Sequence, residues 1–235
     1  MRILLFSNST NAGEEYLSYT IPYIHEFTQG KKYEAVFIPY AGVTISWDEY
    51  SAEVASKLLT TGIHLNPIHK SADPIKAILN AEMIIVGGGN TFNLLKTLED
   101  NKLLKFIREK VIAGVPYIGW SAGSNMACPT IRTTNDMPIV EPKSFNALGL
   151  FPFQINPHYT DAVDKNHAGE TREMRINEFI EANKDMYVAG LREGTLFQIN
   201  GNKLELKGSK SCRIFKHGKA ASELKSGDDF SFLMQ

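Results

Sequence analysis

Cysteine is scarce in this chain: Cys128 and Cys212 are the two present among 235 residues. Two are too few for a disulfide framework, and their separation is not that of metal ligands, so a reducing compartment and no thiolate metal centre are expected. An excess of charge of either sign is missing as well. Lys and Arg number 25 against 26 Asp and Glu, a formal net charge of -1, which leaves no basic field for a nucleic-acid backbone. No apolar stretch approaches the roughly 20 residues that span a bilayer. The opening MRILLFSNST turns polar too soon for a signal-peptide core and carries no small-residue cleavage pattern, so it reads as a first strand. These absences together describe a cytoplasmic protein with neither nucleic-acid nor membrane partners. Internal repeats, low-complexity tracts and Pro- or Ser-rich linkers are also lacking, and hydrophobic residues at 43% argue against disorder. One domain over residues 1–235 is the simplest reading.

What is present alternates. Short apolar runs rich in β-branched residues stand at Arg2 to Phe6, Ala35 to Pro39, Ile63 to Ile68, Met83 to Gly87 and Pro116 to Trp120. Between them, Trp47 to Gly62 and Asn101 to Gly114 carry apolar residues at helical spacing with a glycine stop. The pattern predicts an α/β fold: a flavodoxin-like three-layer sandwich whose mostly parallel central sheet is covered on both faces. After about Glu193 the texture changes. TLFQINGNKLELKG reads as two strands around an Asn-Gly turn and SCRIFKHGKAASEL as another pair, so residues 193–235 are expected to form a C-terminal antiparallel β extension. Right-handed crossovers bring the carboxyl ends of parallel strands to one edge, where such sheets place their sites.

Gly119-Trp120-Ser121-Ala122-Gly123 fits G-x-S-x-G in the context that pattern needs, an apolar strand before it and a plausible helix, SAGSNMA, after it. The flanking glycines suit a sharp turn that exposes a serine hydroxyl. Upstream, VGGGNTF sets Gly87, Gly88, Gly89 and Asn90 between a strand and a helix. Backbone N–H groups of Gly88 and Gly89 are therefore candidate oxyanion donors beside that of Ala122. A phosphate or dinucleotide loop is the weaker rival, since G-x-G-x-x-G and a Walker lysine are both missing. A nucleophilic serine needs a base. Of six histidines, His158 follows the apolar run FPFQINP, which ends at the edge where Ser121 sits. For the acid that orients it, Asp136 in RTTNDMP and Glu193 in GLREG both occupy plausible strand-end loops, and spacing does not choose between them.

These same segments carry a resemblance. GGGNTF, IGWSAGSNMACPTIRTTNDMPIV, FQINPHYT, GETRE, LLFSNST, AVFIPYAGVTISWDEY and GLREG are similar to the peptidase E family of α-aspartyl dipeptidases, from the first strand to about Gly194. The resemblance implies a serine peptidase on a fold like that of class I glutamine amidotransferases, acting on Asp-Xaa dipeptides without metal or organic cofactor. It matches Ser121 to the nucleophile, His158 to the base and Glu193 to the third member. Asp136 then stands as a structural residue, a substrate contact or a competitor for the third role. An aspartyl carboxylate calls for a bidentate cation. Arg172 in GETREMR is the first candidate and Arg132 the second, with Asn90 a further substrate contact. The alternatives are a cyanophycinase-like hydrolase of longer aspartyl substrates on the same scaffold and a non-catalytic small-molecule-binding protein. A monomer or homodimer is expected, and the loop Thr160 to Gly169 is a candidate lid.

Overall fold

The computed structural model describes residues 1–162 and 169–235. Positions 163–168 of the candidate lid, and with them His167, lie outside the described residues.

The five apolar runs form strands β1 (Arg2–Phe6), β2 (Tyr33–Ile38), β3 (Ile63–Pro67), β4 (Met83–Val86) and β5 (Tyr117–Trp120). They lie in the order β3-β2-β4-β5-β1, every neighbouring pair parallel. Parallel strands need crossovers, supplied by helices α1 (Ile21–Thr28), α2 (Trp47–Leu58), α3 (Pro74–Asn80), α4 (Thr91–Asp100) and α5 (Leu104–Ile112). Local chemistry sets their ends. Ser46 and Glu49 close a reciprocal capping box at the start of α2, and Asp73 caps α3 ahead of Pro74, whose missing N–H costs nothing there.

Strand alternation divides the core into two layers. Ile3, Leu5, Val36, Ile38, Ile84 and Val86 pack with α4 and α5 on one face, while Leu4, Phe6, Phe37, Ile85 and Trp120 pack with α1 and α2 on the other. The inner strands are thus apolar on both sides, which is why their runs read as continuous, while the edge strand β3 alternates, with His64 and Asn66 exposed.

The rest of the chain adds α6 (Ala122–Ala127), β6 (Gln154–Tyr159), α7 (Arg172–Ala182), β7 (Tyr187–Arg192), β8 (Leu196–Asn200), β9 (Lys203–Lys207), β10 (Cys212–Lys216) and β11 (Ser222–Leu224). The expected antiparallel extension divides between two sheets. The hairpin β8-β9 joins the main sheet through an antiparallel pairing of β8 with β1, whereas β10 and β11 build a second sheet in the order β11-β10-β7-β6. In that sheet β6 and β7 are parallel. In the β8-β9 hairpin Asn200 still pairs with Lys203, so the turn residues are Gly201 and Asn202 rather than Asn200 and Gly201. Helix α7 covers the second sheet through Ile176 and Ile180, against Tyr159, Val188 and Phe215. Ion pairs tie the sheet together: Arg192 meets Asp161 at 2.6 Å and Glu223 at 2.8 Å, and Arg213 meets Glu223 at 3.1 Å and Glu173 at 3.0 Å. No helix of the described residues is long and apolar enough to cross a membrane.

Candidate active site

Ser121 follows β5 directly and has φ 52° and ψ -110°, a conformation that costs a non-glycine residue roughly 1–3 kcal/mol. Neighbouring strands hold it there. Its N–H donates to the Phe6 carbonyl of β1 at 3.1 Å, and its carbonyl accepts from Ser124 and Asn125 at 2.9 and 3.0 Å. The Ser124 hydroxyl donates to the same Phe6 carbonyl at 2.7 Å. The two glycines of the motif are required by close approach: a Cβ on Gly119 would lie 2.6 Å from the Gly123 carbonyl oxygen, and one on Gly123 would lie 2.2 Å from that of Val86. The turn is as tight as the sequence pattern implies.

His158 comes from β6, in the second sheet. Its Nε2 lies 2.9 Å from Ser121 Oγ and its Nδ1 lies 2.7 Å from Glu193 Oε1. It too has positive φ, 53°, and the β6-β7 register shifts between Asn156 and Tyr159. Such an irregularity re-aims one side chain out of a strand's alternation. Glu193 sits in the turn between β7 and β8. A carboxylate accepts only, so Nδ1 carries the proton and Nε2 is left to accept from the serine hydroxyl, the tautomer a general base needs. The His158 and Glu193 side chains are 38% and 47% exposed, so their pairing matters for orientation more than for ionic energy.

Asp136 stands elsewhere. Its Oδ2 accepts from Thr91 N at 2.7 Å, Thr91 Oγ1 at 2.5 Å and Thr134 Oγ1 at 2.9 Å, which fastens its loop to the first turn of α4. The structure therefore brings Glu193, and not Asp136, to His158. Asn90 borders the site, but its side chain is occupied: Oδ1 accepts from Asn93 N at 3.0 Å and Nδ2 donates to the Met137 carbonyl at 2.8 Å.

Gly88, Gly89, Ser121 and His158 line one cavity of about 650 Å³, together with Tyr16 and Glu53. Among the described residues the N–H groups of Gly88, Gly89 and Ala122 donate to no backbone carbonyl. Beneath them, Trp120 Nε1 donates to Tyr50 OH at 3.2 Å, which donates to the Gly88 carbonyl at 3.0 Å. Burial pushes the Tyr50 phenol up to about 12, so it stays a neutral donor that steadies the glycine turn. Sequence reasoning passed over Tyr50 because its place in the apolar spacing of α2 reads as core.

The arginines gather in a separate cavity of about 160 Å³, lined by Arg132, Arg172 and Arg175 with Asn135, Asp136 and Asn156. Arg172, on the first turn of α7, donates to Asn135 Oδ1, and Asn135 Nδ2 donates to the Pro157 carbonyl at 2.6 Å, one residue before His158. Burial, and then the neighbouring Arg175, lower the Arg172 pKa. Among the described residues no carboxylate lies within ion-pair distance of it. Arg132 instead lies over the Phe145 ring, 5.7 Å from its centroid. The Oδ1 atom of Asn156, in the same cavity, is buried without a partner. Among the described residues no cluster of His, Cys, Asp and Glu has metal-binding geometry.

Comparison with known proteins bears on this geometry. Residues 3–207 match the model of peptidase family S51. The chain is 50% identical over 234 residues to peptidase E of Nostoc sp. (strain PCC 7120 / SAG 25.82 / UTEX 2576), covering 100% of this chain and 97% of that protein. It is 49% identical over 230 residues to peptidase E of Escherichia coli O6:K15:H31, covering 98% and 100%. Among solved structures, a putative peptidase E from Listeria monocytogenes superposes with a TM-score of 0.63 at 24% identity, covering 89% of this chain and 98% of that one. A peptidase from an acI-B1 Actinobacterium does so with a TM-score of 0.68 at 17% identity, covering 97% and 95%. At these identities the structural likenesses speak for the fold.

Proposed function

Because the chain belongs to peptidase family S51 and is a serine-type peptidase, we propose that it hydrolyses dipeptides with N-terminal aspartate through a Ser121-His158-Glu193 triad and an acyl-enzyme. The observation that carries this reading is the continuous chain from Ser121 Oγ to His158 Nε2 at 2.9 Å and from His158 Nδ1 to Glu193 at 2.7 Å. His158 takes the serine proton as Oγ attacks the peptide carbonyl, and the new oxyanion meets the N–H groups of Ala122 and the Gly88-Gly89 turn. The same proton passes from His158 to the leaving amine. Water, deprotonated by His158, then attacks the ester and frees aspartate and Ser121. Each free N–H contributes about 3 to 4 kcal/mol to the transition state.

Specificity needs a cation for the aspartyl carboxylate. Arg172 is proposed for this role because it is half-buried, has no carboxylate partner among the described residues, and is linked through Asn135 to the backbone beside His158. A desolvated guanidinium in this state gains most from a carboxylate. Arg132, already seated on Phe145, is the weaker candidate. Two buried free thiols, with that of Cys128 pushed up to about 12 by burial, fit a cytoplasmic location.

The test is release of aspartate from Asp-Leu beside Ala-Leu, Glu-Leu, N-acetyl-Asp-Leu and longer aspartyl peptides. Asp-Leu is expected to exceed Ala-Leu by at least about 100-fold in kcat/KM, since an unmatched buried cation penalises the analogue that lacks the carboxylate. Equal rates on the two would overturn the aspartyl reading, and faster cleavage of long peptides would overturn the dipeptidase one. Arg172→Met is expected to lower kcat/KM for Asp-Leu roughly 100-fold, the equivalent of a lost charged hydrogen-bond pair, and to leave Ala-Leu within about threefold. A matching loss on both substrates would remove Arg172 from the specificity role.

A further inference from the structure

Ser121 stands on the main sheet, while His158 and Glu193 come from and beside the second. Something must fix the distance between two separately built sheets to within tenths of an ångström. Among the described residues, two consecutive ones at the carboxyl end of β1, Ser7 and Asn8, bond to the backbone of the base and to the backbone on both sides of the acid. Both are buried, at 0% and 1% exposure. Ser7 Oγ accepts from the His158 N–H at 2.9 Å and donates to the Leu191 carbonyl of β7 at 2.7 Å. Asn8 Oδ1 accepts from the N–H of Gly194, the residue after Glu193, at 2.9 Å. The Asn8 side chain is itself fixed: Nδ2 donates to the Thr10 carbonyl at 2.8 Å and to Asn11 Oδ1 at 3.0 Å, and Tyr19 OH donates to Oδ1 at 2.7 Å.

The strain at His158 sharpens the point. A non-glycine residue with φ 53° inside a strand leaves its N–H off the ladder, and a buried N–H without a partner is costly. Ser7 supplies that partner. Leu196 of β8, immediately beyond the Glu193 turn, pairs in register with Phe6, the residue before Ser7, so the clamp continues the β1-β8 ladder into the site.

We propose that Ser7 and Asn8 form a positioning clamp that sets His158 and Glu193 against Ser121 by hydrogen-bonding the backbone N–H of the base and the backbone on either side of the acid. This rests on the triad reading above. Neither residue touches substrate or reacting atoms; both act on the geometry of the groups that do. Displacing a reacting group by about 1 Å costs on the order of 100-fold in rate, and that loss belongs in kcat, because the substrate cavity is lined by other residues.

The experiment compares Ser7→Ala, Asn8→Ala and Tyr19→Phe with wild type and Glu193→Gln. It measures kcat and KM for Asp-Leu, the rate of Ser121 labelling by a fluorophosphonate, and the downfield proton resonance of the His158 Nδ1–H bonded to Glu193. Ser7→Ala and Asn8→Ala are expected to lower kcat on the order of 100-fold with KM within about threefold, to slow labelling in parallel, and to broaden or lose the resonance. Tyr19→Phe removes one hydroxyl, leaves the ring packing, and is expected to lower kcat a few-fold; it decides the matter if the other variants do not fold. Wild-type-like kcat and an intact resonance in folded clamp variants would overturn the clamp. So would equal losses in kcat and 1/KM with unchanged labelling, the pattern of general loosening. Glu193→Gln separates the two readings: an unimpaired Glu193→Gln refutes the triad, whereas an impaired one beside unimpaired clamp variants refutes only the clamp.

Discussion

Ser121→Ala is expected to lower Asp-Leu turnover by about four to six orders of magnitude while leaving the folded protein intact. Among the described residues the hydroxyl has one partner, His158 Nε2 at 2.9 Å, and the bonds that hold the elbow run through backbone atoms or through Ser124. Removing Oγ therefore deletes the nucleophile without unfastening the turn. His158→Ala is expected to cost about as much, and the double variant no more than either, because nucleophile and base act as one unit. Losses that multiply in the double variant would mean that the two residues do not work together. The elbow offers a second readout: a glycine adopts φ 52° and ψ -110° with less strain than alanine or serine. Ser121→Gly should thus be equally inactive and more stable than Ser121→Ala by roughly 1 kcal/mol, measured by chemical denaturation. Equal stabilities would show that the elbow stores no strain.

The nucleophile was legible in the sequence because two physical demands meet in five residues. A strand that must turn into a helix under another strand needs glycines at Gly119 and Gly123, and the residue between them is forced outward. Both faces of the main sheet were legible for a similar reason: runs such as Ile3 to Phe6 are apolar at every position because both sides are covered. The identity of the acid was not legible. Glu193 and Asp136 both follow apolar runs, and what separates them is long-range: β7 lies parallel to β6, so the turn after β7 comes beside His158, while Asp136 is spent on Thr91 and Thr134. Periodicity identifies a strand but does not name its partner. For the same reason the extension expected after Glu193 did not reveal its division between two sheets, or that β6 and β7 belong to the second. Ser7, Asn8 and Tyr50 escaped notice because a small polar residue at a strand end and a tyrosine in a helix's apolar stripe look like ordinary turn and core.

Gly89→Ala is expected to abolish most activity through the backbone alone. At φ +131° a side chain is already strained, and a Cβ there would lie 2.2 Å from the Ala41 carbonyl oxygen and 2.6 Å from its carbon. The Ala41 loop is poorly placed to retreat, since that carbonyl accepts from Asn90 N at 2.8 Å and the Asn90 side chain caps α4. The turn that carries the Gly88 and Gly89 N–H groups must move instead, and the proposed oxyanion donors with it. Loss of even one oxyanion donor costs about 100- to 1,000-fold in kcat, and displacement of the whole turn should cost no less. Strain and overlap should also lower stability by roughly 2 to 4 kcal/mol. Gly114→Ala isolates the first of these effects: Gly114 has φ +107° with nothing within 4 Å of its Cβ position, so its substitution strains the backbone far from the site and should leave kcat/KM unchanged. A Gly89→Ala enzyme that still turns over Asp-Leu within a few-fold of wild type would mean that the oxyanion is held without the glycine turn, and that Ala122 must find its companion donor elsewhere in the cavity.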